Sequence, residues 1–194
     1  MISSPIRRDI SSKLLDWYQH ECDDFPWRKN KNPYTIWLSE VMLQQTRVTT
    51  VLPYYNRWLS ALPNVRSVAE TDIDAILKLW EGLGYYARAR NFHRACKIIV
   101  EQLDGKIPKT SIEFSRLPGV GSYISSAVMS IAFNAPIPAV DGNAVRVISR
   151  IISIKSTFPA SKNNITSFLT SIIDHNNPGD FNQAVMDLGR EICT

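Results

Sequence analysis

The chain has 194 residues, of which 44% are hydrophobic and 21% charged, a globular balance that excludes an intrinsically disordered protein. Its net charge of +4 permits a polyanionic partner without requiring one, and no apolar run reaches membrane-spanning length. Three cysteines, Cys22, Cys96 and Cys193, lack any Cys-x-x-Cys spacing, so a complete zinc or iron–sulfur site within these residues is not expected. The odd count, in a basic chain without an apolar leader, fits a reducing interior.

Helical periodicity dominates in chain order. Residues 11–20 place Leu14, Leu15, Trp17 and Tyr18 at helical spacing. A turn-rich link over 23–30 leads to Pro33, after which a helix is predicted over 34–44, rich in Ile36, Trp37, Leu38, Val41 and Met42. A further helix is expected over 46–61, and Asp72 suits the N-cap of one over 73–80. The Gly82-Leu83-Gly84 turn precedes a long amphipathic helix over 86–103, and Pro108 breaks the chain after it. Helices are then predicted at 111–116, 122–133, 143–152, 162–173 and 180–192. Alternating strand patterns are scarce and the stretch 151–156 is short and ambiguous, so the expected fold class is all-α, without a long linker or an internal repeat.

Several segments are candidates for chemistry. Leu117-Pro118-Gly119-Val120-Gly121 opens onto the helix at 122–133. Its glycines let the backbone turn through positive φ, and amides of the turn and first helical turn would offer donors to a phosphate. A tight helix–helix turn explains the same residues. No Lys-Ser/Thr comes after the glycines, which excludes a triphosphate P-loop, and no strand precedes them, which argues against a dinucleotide fingerprint.

Glu40 lies among mostly apolar neighbours. Buried there, its carboxyl would have a raised pKa and serve as a proton donor; alternatively it sits on an exposed stripe of the helix. Gln44 and Gln45 suit base edges or solvent equally. Gly82-Leu83-Gly84-Tyr85-Tyr86-Ala87-Arg88-Ala89-Arg90-Asn91 joins a flexible turn, an aromatic pair and two arginines, which suits wedging and phosphate binding, or a core pair with surface cations. Arg7, Arg8, Arg28, Lys29 and Lys31 form a basic cluster in sequence, while His20, His93 and His175 have no metal-like spacing.

Together, Phe25-Pro26-Trp27-Arg28, Trp37-Leu38-Ser39-Glu40-Val41-Met42-Leu43-Gln44-Gln45-Thr46 and the Gly82–Asn91 segment resemble the MutY family of adenine DNA glycosylases. Leu117–Gly121, Val140-Asp141-Gly142-Asn143 and Phe181-Asn182-Gln183-Ala184-Val185-Met186-Asp187-Leu188-Gly189 continue the likeness, which runs from about Leu14 onward. The Gly-Val-Gly and Asp elements belong to the whole helix–hairpin–helix glycosylase superfamily; the Trp37–Thr46 and Gly82–Asn91 segments are what point to MutY.

The resemblance implies a six-helix barrel lobe over residues 26–135, containing the hairpin, and a terminal lobe from residues 1–25 and 136–194. It implies Glu40 as the acid that protonates adenine N7 and Asp141 as the group stabilising an oxocarbenium-like sugar, by charge or by transient attachment. Asn143 would place the water. Gly119, Val120, Gly121 and Ser122 would hold the DNA backbone, and Gln44 and Tyr85 would fill or wedge the stack opposite 8-oxoguanine while adenine is flipped out. Leu43, Gln45, Thr46 and Arg88 join the DNA-binding set, with Arg28 near the adenine pocket. The implied partner is double-stranded DNA carrying A opposite 8-oxoguanine or G, met by a monomer in a bacterial cytoplasm, nucleoid-associated and without a membrane.

Position 123 bears on the subclass. Lysine-bearing relatives attack the sugar through a Schiff base, which the phenol of Tyr123 cannot form, so excision without strand cleavage is expected. Tyr123 also occurs in thymine mismatch glycosylases of the superfamily, which keeps a thymine or other mismatch glycosylase open, beside a non-catalytic DNA-binding fragment. MutY-like chains carry a four-iron four-sulfur cluster on four cysteines. Here Cys193 matches the first and Thr194 comes directly after it, so the cluster is not assemblable from the sequence as given; the family's 8-oxoguanine-recognition domain has no counterpart in it either, and weaker DNA binding and poorer discrimination of 8-oxoguanine from guanine are expected.

Overall fold

The computed structural model describes residues 4–154 and 160–194. Among these residues the structure is all-helical: α1 (Ser4–Glu21), a single 3-10 turn (Pro26–Arg28), α2 (Pro33–Leu43), α3 (Val48–Ala61), α4 (Val65–Glu70), α5 (Ile73–Trp80), α6 (Ala87–Gln102), α7 (Ser111–Phe114), α8 (Ser122–Phe133), α9 (Gly142–Ile151), α10 (Lys162–Ile172) and α11 (Pro178–Glu191). No helix among them is long and apolar enough to cross a membrane. Two expectations shift. The first helix starts at Ser4 rather than at residue 11, and α4 has no counterpart among the expected helices. Its signal is the Asn64–Ser67 capping box, which pairs each residue's side chain with the other's backbone N–H. Of the ambiguous stretch, Ile151 ends α9, and residues 155–156 lie outside the described residues.

The chain forms two compact units, one of the described residues up to Pro26 with Met129–Thr194, the other of Trp27–Val128. The second division falls inside α8, earlier than the boundary expected at 135.

In the Trp27–Val128 unit the core is aromatic. Phe92 of α6 is its hub, with ring centroids 4.4 Å from Trp37, 6.0 Å from Trp58 and 6.1 Å from Tyr34. Trp58 meets Trp80 edge-on at 5.6 Å, and Trp37 meets Phe114 at 5.3 Å. Such tilted and T-shaped pairs reflect the ring quadrupoles. Two polar handles pair with each other: Tyr34 Oη donates to Leu62 O at 2.6 Å and accepts from Trp58 Nε1 at 3.0 Å. Burial pushes the Tyr34 phenol well up, against the pull of that Trp58 bond, so it stays neutral.

Helix α2 is enclosed on all sides, with every residue from Tyr34 to Met42 buried. Pro33 at its first turn and the Asn32 side chain accepting from Tyr34 N at 2.9 Å fix where it starts. Helices α3 and α6 pack on it, and α4 and α5 pack on α6.

In the other unit, α11 packs on α9 and α1, and α10 on the same two helices. Ala144, Val147, Ile148, Ile165, Phe168, Leu169, Ile172, Phe181 and Val185 form its core, with Ile10, Leu14 and Leu15 against them. Gly189 of α11 lies so close to α9 that a Cβ there would sit 2.5 Å from Asn143 Cβ.

His93, without a metal-like spacing in the sequence, is a structural residue. It is 4% exposed, and its Nε2 meets Thr71 O, at the end of α4, at 2.9 Å. Burial lowers its pKa, with Lys97 adding to the effect and the Thr71 bond opposing it. Above an ordinary value near 6.5 both folded and unfolded chains hold it neutral, and below that the unfolded chain takes up the proton first. Stability is therefore lost as pH falls from 6.5 toward the lower folded pKa. We expect urea midpoints to drop between about pH 7.5 and about pH 5.5 and His93→Gln to show a shallower drop; parallel slopes would remove His93 as the cause.

Candidate active site

Candidate residues occur in both units, and each set is built from its own helices. In the Trp27–Val128 unit, Glu40 stands on α2 with 8% of its surface exposed, the buried alternative of the two weighed from sequence. The Tyr123 phenol donates to Glu40 Oε2 at 2.7 Å. Residues 83 positions apart are thereby joined, because the hairpin before α8 sets Tyr123 in that helix's first turn.

The hairpin is held from within. Leu117 and Val120 are buried, and the Val120 amide donates to Leu117 O at 3.1 Å. Gly119 has φ +78°, and a Cβ on it would fall 2.8 Å from Asn91 Cβ of α6. Only this first glycine needs its conformational freedom. Gly121 is not in the left-handed region and a Cβ there would meet open space, so the expectation of positive φ at both glycines is corrected. The expectation of free turn amides is corrected likewise at Val120. The first intrahelical bond of α8 is Ser125 N to Gly121 O at 2.9 Å, so the preceding first-turn amides have no intrahelical acceptor. Gly121 and Ser122 are exposed at that end.

Leu43 closes α2, and Gln44 caps it. Gln44 is half-buried, whereas Gln45 is exposed and has φ 55°. Tyr85, 63% exposed, has φ 48°. Arg88 departs from the phosphate-binding role expected for it. Its Nη1 donates to Val41 O, Met42 O and Gln44 O at 3.1, 2.8 and 2.5 Å, and its Nη2 to Thr46 Oγ1, Leu83 O and Gly84 O at 3.2 Å each. A guanidinium so engaged is part of the scaffold, and a phosphate would have to displace these acceptors. Arg28 is half-buried at the end of the 3-10 turn.

In the other unit Asp141 is the N-cap of α9. Its Oδ1 accepts from Ala144 N at 2.7 Å and its Oδ2 from Asn143 Nδ2 at 2.9 Å. Burial raises the Asp141 pKa, and the Ala144 and Asn143 bonds pull the other way without cancelling it. Two residues that sequence reasoning missed hold this end of α9. Arg146 Nη2 donates to Asn143 Oδ1 at 2.8 Å and to Gly189 O at 2.5 Å, and its Nε to Cys193 O at 2.5 Å. Asn182, 1% exposed, donates to Ser130 Oγ at 2.8 Å and Ile137 O at 2.9 Å and accepts from Ala139 N at 3.1 Å. It thus staples the segment that leads into Asp141. Its place inside the Phe-Asn-Gln-Ala motif was visible, but not its partners.

Cys193 Sγ accepts from Arg150 Nη1 at 2.6 Å. A four-iron cluster needs four ligands, and among the described residues no group of three or more His, Cys, Asp or Glu is placed to hold a metal. These residues do not by themselves fit the cluster.

Residues 38–173 match the family of HhH-GPD superfamily base excision DNA repair proteins. Adenine DNA glycosylases of Rattus norvegicus and Homo sapiens are 40% and 39% identical over 93% of this chain, which spans 37% and 35% of their length. That of Buchnera aphidicola subsp. Baizongia pistaciae is 39% identical over 93% of this chain and 52% of its own. The chain thus spans from about a third to half of the curated relatives it matches. Among solved structures, a thermostable thymine-DNA glycosylase superposes with TM-score 0.89 at 26% identity, covering 97% of this chain and 88% of that one. An endonuclease III–DNA covalent intermediate gives 0.83 at 21% identity, covering 100% and 89%, and speaks to the fold alone.

A raised Asp141 pKa means the ionised carboxyl costs stability: the contribution is full below the unfolded value of 3.8 and lost as pH rises through the folded one. Asp141→Asn keeps an N-cap oxygen and removes the charge, against the loss of one hydrogen bond worth about 1 kcal/mol. Its melting temperature at neutral pH is expected to equal or exceed that of the unmodified chain; a fall of more than about 8 °C would contradict this account.

Proposed function

Given that the chain belongs to the HhH-GPD superfamily of base excision DNA repair proteins, we propose that it excises adenine mispaired with 8-oxoguanine or guanine, as a monofunctional DNA glycosylase. The observation that carries this reading is the 2.7 Å bond from Tyr123 to the buried Glu40, which puts a phenol rather than an amine beside the carboxyl group. Identities of 39–40% with adenine DNA glycosylases over 93% of the chain support adenine as the base.

In the proposed reaction Glu40 gives its proton to N7 of an adenine rotated out of the stack. The C1′–N9 bond breaks, and its electron pair leaves with the purine. Asp141, ionised, stabilises the positive charge spread over C1′ and the ring oxygen. A water placed by Asn143 adds to C1′ and passes a proton to Asp141, whose raised proton affinity suits it to receive one. Adenine and an abasic sugar result. Solvent then reprotonates Glu40 and takes the proton from Asp141.

Further residues hold the DNA in this reading. The exposed Gly121 and Ser122 amides, at the positive end of the 12-residue α8, meet a backbone phosphate, and open space at Gly121 lets that phosphate come close. Val120, its side chain buried and its amide bonded to Leu117 O, shapes the turn rather than offering a donor of its own. Tyr85 and the Gln44–Gln45 pair fill the stack, with Leu43 and Thr46 beside them and Arg28 near the adenine. A thymine glycosylase is the second reading, favoured by the 0.89 TM-score to such an enzyme.

Single-turnover assays on duplexes with A opposite 8-oxoguanine, A opposite G and T opposite G separate these. Adenine release is expected, reduced at least about a hundredfold in Glu40→Gln and in Asp141→Asn. Thymine release alone would establish the second reading, and no release from any duplex would leave a DNA-binding fragment. Borohydride should trap little protein–DNA adduct; trapping on the scale of a lysine-bearing relative would end the monofunctional assignment.

A further inference from the structure

We propose that Arg88 is a positioning residue that locks the segments carrying Gln45 and Tyr85 into one rigid, two-pronged reader of the base stack. The proposal rests on the DNA glycosylase reading for what is read, and on geometry within one compact unit for how the reader is held.

Gln45 and Tyr85 are both non-glycine residues in the left-handed region, with φ 55° and 48°. Each is strained relative to ordinary backbone and persists only where its surroundings hold it. Both lie at turns and both are exposed, so packing of their own side chains does not supply the restraint. Arg88 brackets them. Gln44 O and Thr46 Oγ1, on either side of Gln45, accept from it at 2.5 and 3.2 Å. Leu83 O and Gly84 O, just before Tyr85, accept at 3.2 Å each, and the Arg88 amide donates to Tyr85 O at 2.9 Å. The guanidinium carbon lies 5.4 Å from the Tyr85 ring centroid and 5.4 Å from that of Trp80, whose Nε1 donates to the same Gly84 O at 3.0 Å.

The remaining acceptors, Val41 O and Met42 O, are carbonyls at the C-terminal end of α2, where a cation is favoured by the helix dipole. One planar fork thus satisfies orphan carbonyls of α2 and ties them to a turn some forty residues away. A lysine ammonium, a single point with three donors, cannot span both turns at once. The consequence is that Gln45 and Tyr85 keep a fixed separation and enter the stack together or not at all.

Two measurements test this. Hydrogen exchange on the chain without DNA is expected to show Arg88→Lys raising exchange at residues 44–46 and at residues 82–86 together, by about tenfold or more, while the middle of α3 is unchanged. Thr46→Val, which removes one acceptor and no charge, should give the same joint pattern at smaller amplitude, and it serves if Arg88→Lys melts below the assay temperature. Faster exchange in one segment only, or in neither, overturns the proposal. The second measurement is binding to a duplex with uncleavable 2′-fluoro-2′-deoxyadenosine opposite 8-oxoguanine, for Gln45→Ala, Tyr85→Ala and their combination. With Arg88 present, the combination should weaken binding little beyond the larger single effect; with Arg88→Lys the two factors should multiply. Multiplication in both backgrounds overturns the proposal. Equal binding to this duplex and to a fully matched one defeats the glycosylase reading instead, and the exchange data then decide Arg88 alone.

Discussion

The enclosure of α2 is the constraint on which the Trp27–Val128 unit depends. A helix whose residues from Tyr34 to Met42 are all buried has little solvent for its polar groups, so most of them find partners inside the protein. Asn32 and Pro33 meet this at the N-terminus, and the Arg88 guanidinium meets it at the C-terminus. Its one charged side chain, Glu40, receives the Tyr123 phenol. The aromatic cluster around Phe92 supplies the apolar enclosure, and α6, which carries Phe92, carries Arg88 one turn earlier. Core packing and the placement of the candidate acid therefore share a helix. A change that shifts α6 shifts the cap of α2 as well.

The other unit solves a comparable problem with amides rather than rings. The segment between α8 and α9 is irregular, and its backbone groups need partners. Asn182 provides three bonds from one buried side chain, two donated and one accepted, which nearly exhausts what an amide can make. Arg146 does the same for the far side of Asp141 by joining Asn143 to carbonyls at the end of α11. The close approach at Gly189 is what lets α11 come near enough for these bonds. Neither residue touches a reacting atom in the proposed chemistry, yet Asp141 has its position because of both.

Legibility in the sequence depends on which forces are local. Helical periodicity, Pro33, Asp72 and the Gly-rich turn act over a few residues, and the helices they mark are present within a residue or two at most ends. The apolar pattern of the six-residue α4 was too short to stand out beside its capping box. Long-range pairing was not legible. Arg88 and Arg146 look alike in sequence to any surface arginine, and only folding shows that the acceptors of each include backbone carbonyls on another helix or turn. Gly121 shows the opposite case. Its identity suggested a backbone requirement, whereas the fold itself makes none there.

The two carboxyl groups assigned to the proposed reaction need opposite charge states, and their surroundings differ in kind. Glu40 stands in the last turn of the buried α2, with the Tyr123 hydroxyl as one hydrogen-bond partner. A phenol can donate to one oxygen whether or not the other carries a proton, so this bond tolerates both the acid and its conjugate base. Asp141 sits at the positive end of α9, where amides and the dipole favour the anion. Burial nonetheless outweighs them and raises its pKa. The opposition is useful. A carboxylate that serves as an anion against a desolvation cost gains most when a cation forms close to it, which is the condition for stabilising a transition state more than a ground state.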